Sequence, residues 1–261
     1  MPPLTAAQVL EHPEFESVVW DLKAVSKGRA TVAQGRRGGP LDLAYEVHGQ
    51  GPVKLVFIIG LGGFSSAWQR QTKDFGHSPK TNGGQSQKYS VLVFDNRGMG
   101  KSDKPIASIP RGIDGQLTET KQRLFSQKFL DEPDAEGHFP TNGDRYAAQE
   151  LMKRKDVEGF TRKGLLLQAI AAWWHHKSAK QIEELGTKVG RERIQVIHGT
   201  IDRMITFPHG QLLAAELGGP EKGVTFIPVE GKAHALNMEW RRELTRAIAA
   251  LVEKTEALPK G

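Results

Sequence analysis

Two residues suited to acid–base chemistry follow apolar stretches in the last third of the sequence. Asp202 lies in the turn after a run that begins at Arg193, and His234 follows the run Val224 to Val229. A histidine takes and returns protons near neutral pH, and an acid beside it can fix which ring nitrogen carries the proton. A lone Asp and a lone His more often have structural roles. Whether these two are catalytic depends on the strands and loops that position them.

A third polar stretch, Asp95 to Asp103, follows the apolar run Val91 to Phe94. This run shows no polar alternation, which is typical of a strand buried on both faces in a parallel sheet. Gly98 and Gly100 permit backbone angles that larger residues avoid, so a tight turn is expected there. Taken alone, an Arg and an Asp in such a turn also fit a solvated surface loop.

The periodicity of the remaining chain predicts strands that alternate with helices. The predicted strands are 30–33 and 41–47, joined as a hairpin with one solvent-facing side, then the fully buried 53–59, 91–94, a buried strand from Arg193, and 224–229. The predicted helices are one ending near Phe75, then 122–129, 145–154, 164–175, 178–185, 210–217 and 241–253. This alternation favours one large α/β domain. Residues 1–28 contain three prolines and are expected to be an irregular surface segment.

The composition favours a globular protein and excludes some chemistry. The chain has 261 residues, of which 38% are hydrophobic and 25% charged, and it has no cysteine. Disulfides, thiolate catalysis and cysteine-based zinc sites are therefore excluded. No apolar run approaches the ~20 residues that cross a bilayer, and the N-terminus lacks the pattern of a signal peptide. We expect a cytoplasmic protein with no membrane partner.

The net charge of +6 does not by itself indicate a nucleic-acid partner. Basic residues form only short clusters, and they are not interleaved with aromatic residues that stack on bases. The sequence Trp173-Trp174-His175-His176 resembles a ligand cluster, but neighbouring helical side chains point about 100° apart and rarely share one ion. Packing is the favoured role of this cluster, and no metal or cofactor is expected.

The stretch Asp95 to Ser102, DNRGMGKS, resembles the D-x-R-G-x-G-x-S motif that follows the fourth strand in α/β-hydrolases. The resemblance covers most of residues 29–105 and 190–253. It implies a mostly parallel sheet with an antiparallel N-terminal hairpin and helices on both faces. The implied divisions are an irregular segment 1–28, core halves at 29–110 and 187–261, and a helical cap at 111–186.

The resemblance also implies a catalytic acid and base. Asp202 matches the triad carboxylate, and the loop Glu230 to Trp240 is similar to the G-x-G-H loop that carries the triad histidine, here His234. Ala233 replaces the usual second glycine of that loop. The two side chains should lie within hydrogen-bond reach at the carboxyl ends of their strands, near Leu61.

The glycine-rich loop after Ile59 is implied to supply one oxyanion-hole N–H, from Leu61 or alternatively from Gly62. Glycines suit this place because the backbone itself must approach the substrate. Ile59 stands where many α/β-hydrolases carry a histidine. A tight strand-to-helix turn without any ligand is the other interpretation of this loop.

The nucleophile is missing from this pattern. The sequence contains no G-x-S-x-G elbow; the nearest stretches, Gly63 to Ala67 and Gly100 to Lys104, lack the final glycine. Two central βα units of about 30 residues each are absent between Pro105 and Arg111. The resemblance thus implies a hydrolase of small esters, lactones or related bonds that lacks its serine and is weakly active or inactive. The alternative is a non-catalytic pseudoenzyme or a ligand-binding remnant, either a truncated isoform or a faulty gene model.

Overall fold

The computed structural model describes residues 3–35, 40–60, 62–77, 88–96, 99–102, 113–174 and 176–258. The chain divides into two compact units, Met1–Leu117 with Pro133–His175, and Thr118–Glu132 with His176–Gly261. The predicted cap, 111–186, is therefore shared between the two units and does not form a unit of its own. Leu61, His175 and the junction from Pro105 to Arg111 lie outside the described residues.

The first unit contains a four-stranded sheet in the order β1-β2-β4-β3. Its strands are β1 (Ser26–Val32), β2 (Leu41–His48), β3 (Val53–Phe57) and β4 (Tyr89–Phe94). β1 and β2 form the predicted antiparallel hairpin, and β2 also pairs antiparallel with β4. β3 runs parallel to β4, with Val53 opposite Tyr89 and Phe57 opposite Val93. The predicted adjacency of these two parallel strands is confirmed.

β3 is not fully buried, so that part of the sequence prediction is wrong. Val56 is 54% exposed, and Ile58, just beyond the strand, is 66% exposed. The opposite face is covered, because the ring of Phe57 lies 6.2 Å from the ring of Phe75. β3 is an edge strand whose only partner among the described residues is β4. An apolar run indicates a strand, but it does not show whether a further strand and helix cover it.

The N-terminal segment is more ordered than its prolines suggest. It contains the helix α1 (Ala6–Leu10), where Thr5 and Gln8 form a reciprocal capping box. The prolines lie outside this helix and do not interrupt it. Val9, Phe15 and Val18 are buried in a core cluster that also includes residues of α5 (Asn142–Lys155). The expectation of an irregular surface segment is therefore corrected.

Three other helices of the first unit lie close to their predicted places: α2 (Gln69–Gly76), α5 and α6 (Arg162–Trp174). The predicted helix 122–129 is wrong, because α3 (Ile113–Leu124) ends within that range and a separate helix begins at Gln127. α5 begins after Thr141, whose hydroxyl accepts the backbone N–H of Asp144. The ring of Phe75 in α2 also contacts the ring of Tyr89 at 5.1 Å, which packs the helix onto the sheet.

The second unit contains two parallel strands, β5 (Gln195–Gly199) and β6 (Thr225–Val229). Its helices are the end of α3, α4 (Gln127–Asp131), α7 (Ala179–Val189), α8 (Phe207–Glu216), α9 (Leu236–Glu239) and α10 (Arg241–Glu256). Both strands are only partly buried, except at Gly199 and Val229, where they end. The predicted buried strand after Arg193 is thus half-buried, because a two-stranded sheet has two edges.

The described strands form a mixed arrangement within the predicted α/β architecture. Among the described strands, the ladders β3–β4 and β5–β6 are parallel, and the two that involve β2 are antiparallel. Only residues 103–112 separate Ser102 from α3. A βα unit needs about 30 residues. Among the described residues, each unit therefore contains one parallel ladder, and the segment 103–112 is too short for a complete βα unit.

Candidate active site

Asp202 and His234 form a hydrogen-bonded pair in the second unit. β5 and β6 are parallel, so the loops after Gly199 and Val229 leave the same edge of the sheet. Nδ1 of His234 lies 2.9 Å from Oδ2 of Asp202. Because the carboxylate is the acceptor, Nδ1 carries the proton and Nε2 keeps its lone pair. The two side chains that the sequence selects are thus in the arrangement that a general base requires.

The carboxylate of Asp202 is held by further donors. Its Oδ1 accepts the backbone N–H groups of Met204 at 2.8 Å and of Ile205 at 2.9 Å. Nε2 of His198 lies 3.3 Å from Oδ2 and 2.8 Å from the carbonyl oxygen of Ile205. Because that carbonyl accepts, Nε2 of His198 carries a proton and points its positive end towards the acid. The sequence did not predict a role for His198, although it precedes Asp202 by only four residues.

Backbone contacts join the loops that carry the acid and the base. The N–H of Ile201 donates to the carbonyl oxygen of Lys232 at 3.1 Å, and the N–H of Gly231 donates to the hydroxyl of Thr200 at 2.9 Å. A Cβ on Gly199 would lie 2.3 Å from the carbonyl oxygen of Lys232. Only glycine allows this approach. The end of β5 is therefore packed directly against the histidine loop.

A buried carboxylate fixes the other side of that loop. Glu239 accepts the backbone N–H of Ala233 at 3.0 Å. It also accepts the hydroxyl of Ser126 and lies 4.0 Å from Nζ of Lys232. The side chain of Glu239 is completely buried. A buried carboxylate needs such donors, so this contact restrains the residue that precedes His234. Neither Glu239 nor Ser126 was predicted, since a single acid in a short helix carries no sequence signal.

The glycine-rich loop belongs to the first unit. Gly62 has φ +70°, which favours glycine. Its N–H donates to Oε1 of Gln168 at 2.8 Å, and its carbonyl oxygen accepts Nζ of Lys153 at 3.2 Å. The N–H of Gly62 therefore already has a partner in this structure. Leu61, the other candidate donor, lies outside the described residues.

The Asp95 turn has a structural function in the first unit. Oδ1 of Asp95 accepts the N–H of Ser65 at 2.8 Å, and Oδ2 accepts the N–H of Lys101 at 3.0 Å. The buried hydroxyl of Ser102 donates to the carbonyl oxygen of Asp95 at 2.7 Å and accepts the N–H of Ala44 at 2.8 Å. The turn thus connects β4 to β2 and to the segment after β3, and Ser102 is a structural residue.

The described residues contain neither a metal-binding cluster nor a membrane-spanning helix. No group of three or more His, Asp or Glu side chains in the described ranges is arranged to hold a metal ion. In that same part of the chain, no helix combines the length and the apolar character that crossing a bilayer requires.

Comparison with known proteins identifies the fold. The chain is similar to a bromoperoxidase from Bacillus anthracis, with a TM-score of 0.55 and 16% identity over 87% of this chain and 100% of the other. It is also similar to a membrane phospholipase A described as a bacterial virulence factor, with a TM-score of 0.58 and 13% identity over 97% and 93% of the two chains. An esterase from Thermogutta terrifontis matches with a TM-score of 0.51 and 15% identity over 88% and 99%.

The sequence comparisons are negative: no protein-family model and no curated protein matches this chain. Identities of 12–16% to the structural relatives establish a fold and not an activity. The chain has an α/β-hydrolase fold, which is the fold that the motif around Asp95 predicted.

Proposed function

We propose that this chain is a hydrolase-type protein that retains the acid–base pair of a serine hydrolase and lacks the nucleophile. In complete proteins of this kind, a serine attacks a small ester, lactone or related bond, a histidine takes the proton, and an acid orients the histidine. His234 is the base and Asp202 the orienting acid. The observation that carries this assignment is the 2.9 Å hydrogen bond between His234 Nδ1 and Asp202 Oδ2.

The serine route should be slow or absent. The sequence has no G-x-S-x-G, and its nearest equivalents contain Ser65, Ser66 and Ser102. The hydroxyl of Ser102 is buried and engaged at both its donor and acceptor positions. The elbow would also supply the second oxyanion N–H. Because the members of a triad act together, the loss of one removes most of the rate.

We assign the remaining oxyanion donor to Leu61. The glycine-rich turn after β3 is the part of the fold that supplies one such N–H. The alternative donor, Gly62, gives its N–H to Gln168, which argues against that choice. The substrate or ligand class that this proposal implies is a small ester, lactone or related compound, in keeping with the esterase among the structural relatives. A cytoplasmic location is part of the same proposal.

A non-catalytic role is the second candidate. It is favoured by the absence of the nucleophile elbow, which would be expected between Pro105 and Arg111. A chain without an elbow can be a ligand-binding remnant, a truncated isoform or a faulty gene model. Reading the genomic DNA between those two codons separates these cases. An open frame there that encodes G-x-S-x-G would show that this sequence is a shortened form of an ordinary hydrolase.

Labelling with a serine-directed fluorophosphonate tests the principal proposal. The chain should remain unlabelled under conditions in which an α/β-hydrolase with an intact elbow is fully labelled. Stoichiometric labelling that maps to Ser65, Ser66 or Ser102 and disappears in His234→Ala would refute the proposal.

A further inference from the structure

The imidazole of His234 has one engaged nitrogen and one with a free lone pair. Nδ1 donates to Asp202, so the neutral ring is held in the tautomer whose Nε2 is basic and nucleophilic. The side chain is 33% exposed, which leaves it open to solvent and to small reagents. Asp202 is itself fixed by two backbone donors, so its carboxylate is positioned to stabilise positive charge that forms on the ring.

The serines of the second unit have other structural roles. Only Ser126 and Ser178 belong to this unit in the sequence. The hydroxyl of Ser126 donates to Glu239 and accepts the N–H of Phe129 at 3.2 Å. The hydroxyl of Ser178 caps α7 by accepting the N–H of Gln181 at 3.3 Å. Neither hydroxyl is therefore oriented as a nucleophile, whereas the imidazole of His234 is held in place by Asp202.

We propose that His234 itself accepts the acyl group of activated aryl esters, an inference that rests on the proposed function. Nε2 attacks the ester carbonyl, the bond to the aryl oxygen breaks, and an aryloxide leaves. The acylated ring gives up its Nδ1 proton to solvent, with Asp202 stabilising the cation that precedes this step. Water then attacks the acyl group, the C–N bond breaks, and a carboxylic acid and the free imidazole are formed.

The leaving group limits the substrate class. Attack by Nε2 forms a tetrahedral intermediate that can expel either the imidazole or the oxygen leaving group of the ester. Imidazole leaves more easily than an alkoxide does, so the intermediate formed from an alkyl ester returns to the starting ester. An aryloxide with electron-withdrawing groups is the better leaving group, and the forward reaction then proceeds. The loop that contains Asp202 also exposes three apolar side chains that suit an aryl ring: Ile201, Met204 and Ile205. Aryl acetates therefore fit this site better than alkyl or charged esters.

The test follows the release of 4-nitrophenolate from 4-nitrophenyl acetate by the full chain. The release should fall about tenfold or more in His234→Ala and in His234→Gln. The chain has nine histidines, so acylation of exposed rings elsewhere forms a background. His209→Ala is the matched control, because His209 is exposed on α8 of the same unit and lies outside the pair. It should retain the wild-type release. Far-ultraviolet circular dichroism compares the folding of each variant.

A trapping experiment on the wild-type chain identifies the adduct directly. Native mass spectrometry at neutral pH, within seconds of mixing, should find one added acetyl group that is absent from His234→Ala, and hydroxylamine should remove it as acetohydroxamate. Equal release by His209→Ala and His234→Ala would overturn this inference and leave the proposed function intact. If release of 4-nitrophenolate depends on His234 but no acyl adduct forms, the inference is also overturned. His234 would then act as a base that activates water. Release that a fluorophosphonate abolishes would overturn the proposed function as well.

Discussion

The backbone N–H of Ala233 donates to the buried carboxylate of Glu239 at 3.0 Å, one residue before the histidine that pairs with Asp202. Ser126 donates to the same carboxylate from the N-terminus of α4. The loop that carries His234 is therefore fixed from two sides. Asp202 after β5 holds the histidine itself, and Glu239 on α9 holds the backbone of Ala233.

Replacing Glu239 should destabilise the protein and loosen the pair. Glu239→Ala leaves the N–H of Ala233 and the hydroxyl of Ser126 without their acceptor, which should lower the free energy of unfolding by about 2 kcal/mol or more. Urea unfolding measures this change. Glu230→Ala is the control, because Glu230 is an exposed acid on the same loop. If both variants lose the same stability, the carboxylate of Glu239 does not restrain the loop.

Two glycines should respond to alanine in opposite directions. Gly100 has φ +53°, and a Cβ there would lie 2.0 Å from Oδ2 of Asp95. Gly100→Ala should therefore lower the free energy of unfolding by about 2 kcal/mol or more. A Cβ on Gly115 in α3 would meet no atom within 4 Å. Gly115→Ala should raise stability by about 0.5 kcal/mol through helix propensity. Denaturant midpoints of both variants check the pair, and a stable Gly100→Ala protein would contradict the role given to the Asp95 turn.

The exposed edge at β3 should promote aggregation. Val56 in β3 and Ile58 just beyond it expose apolar surface, and the charged residue of this strand, Lys54, is bound to the carbonyl oxygen of Gly51 at 2.7 Å. Unprotected edge strands template pairing between chains. A Val56→Lys and Ile58→Lys double variant should aggregate more slowly on heating, as measured by light scattering. Val157→Lys adds charge at another exposed valine and serves as control. An equal gain from the control would assign the effect to net charge.

Acidification should destabilise the first unit through His77. Nε2 of His77 lies 2.9 Å from Nδ1 of the buried His48, whose Nε2 lies 3.4 Å from Glu46. Burial and the neighbouring His48 lower the pKa of His77 from its ordinary 6.5. The hydrogen bond from His48 lowers the pKa of Glu46 from its ordinary 4.5. Both groups bind protons less readily when folded. Their stabilisation is complete above the ordinary values and is lost as pH falls through the folded ones.

The variant His77→Gln tests this pH dependence. Glutamine can still donate to His48 but does not titrate, so the loss of unfolding free energy between about pH 7.5 and about pH 5.5 should become smaller. Urea unfolding at both pH values measures that loss. His209→Gln replaces an exposed histidine and should leave the dependence unchanged. An unchanged dependence in His77→Gln would show that the pair is not the acid-sensitive group.

Turns and individual strands could be predicted from the sequence, because short stretches of residues determine them. The turn at Asp95 and the strands before Asp202 and His234 follow from short runs whose pattern is complete in itself, whereas the pairing of β3 with β4 was predicted from the resemblance to a known fold. The contacts that the sequence did not reveal join distant segments. Gly62 and Gln168 lie 106 residues apart, and Ser126 and Glu239 lie 113 apart. Exposure of β3 was missed for the same reason, because burial depends on elements elsewhere in the chain.

The hydrogen bonds that fix Asp202 and the loop of His234 come from residues of the second unit. The orientation of Asp202 and His234 therefore depends on contacts within this unit and not on the segment between Pro105 and Arg111. Loss of a nucleophile elsewhere in the chain would leave this pair ordered, so its geometry alone does not show that the chain is active. The full chain is therefore a starting point for engineering, because a soluble nucleophile can be offered to a base that is already oriented.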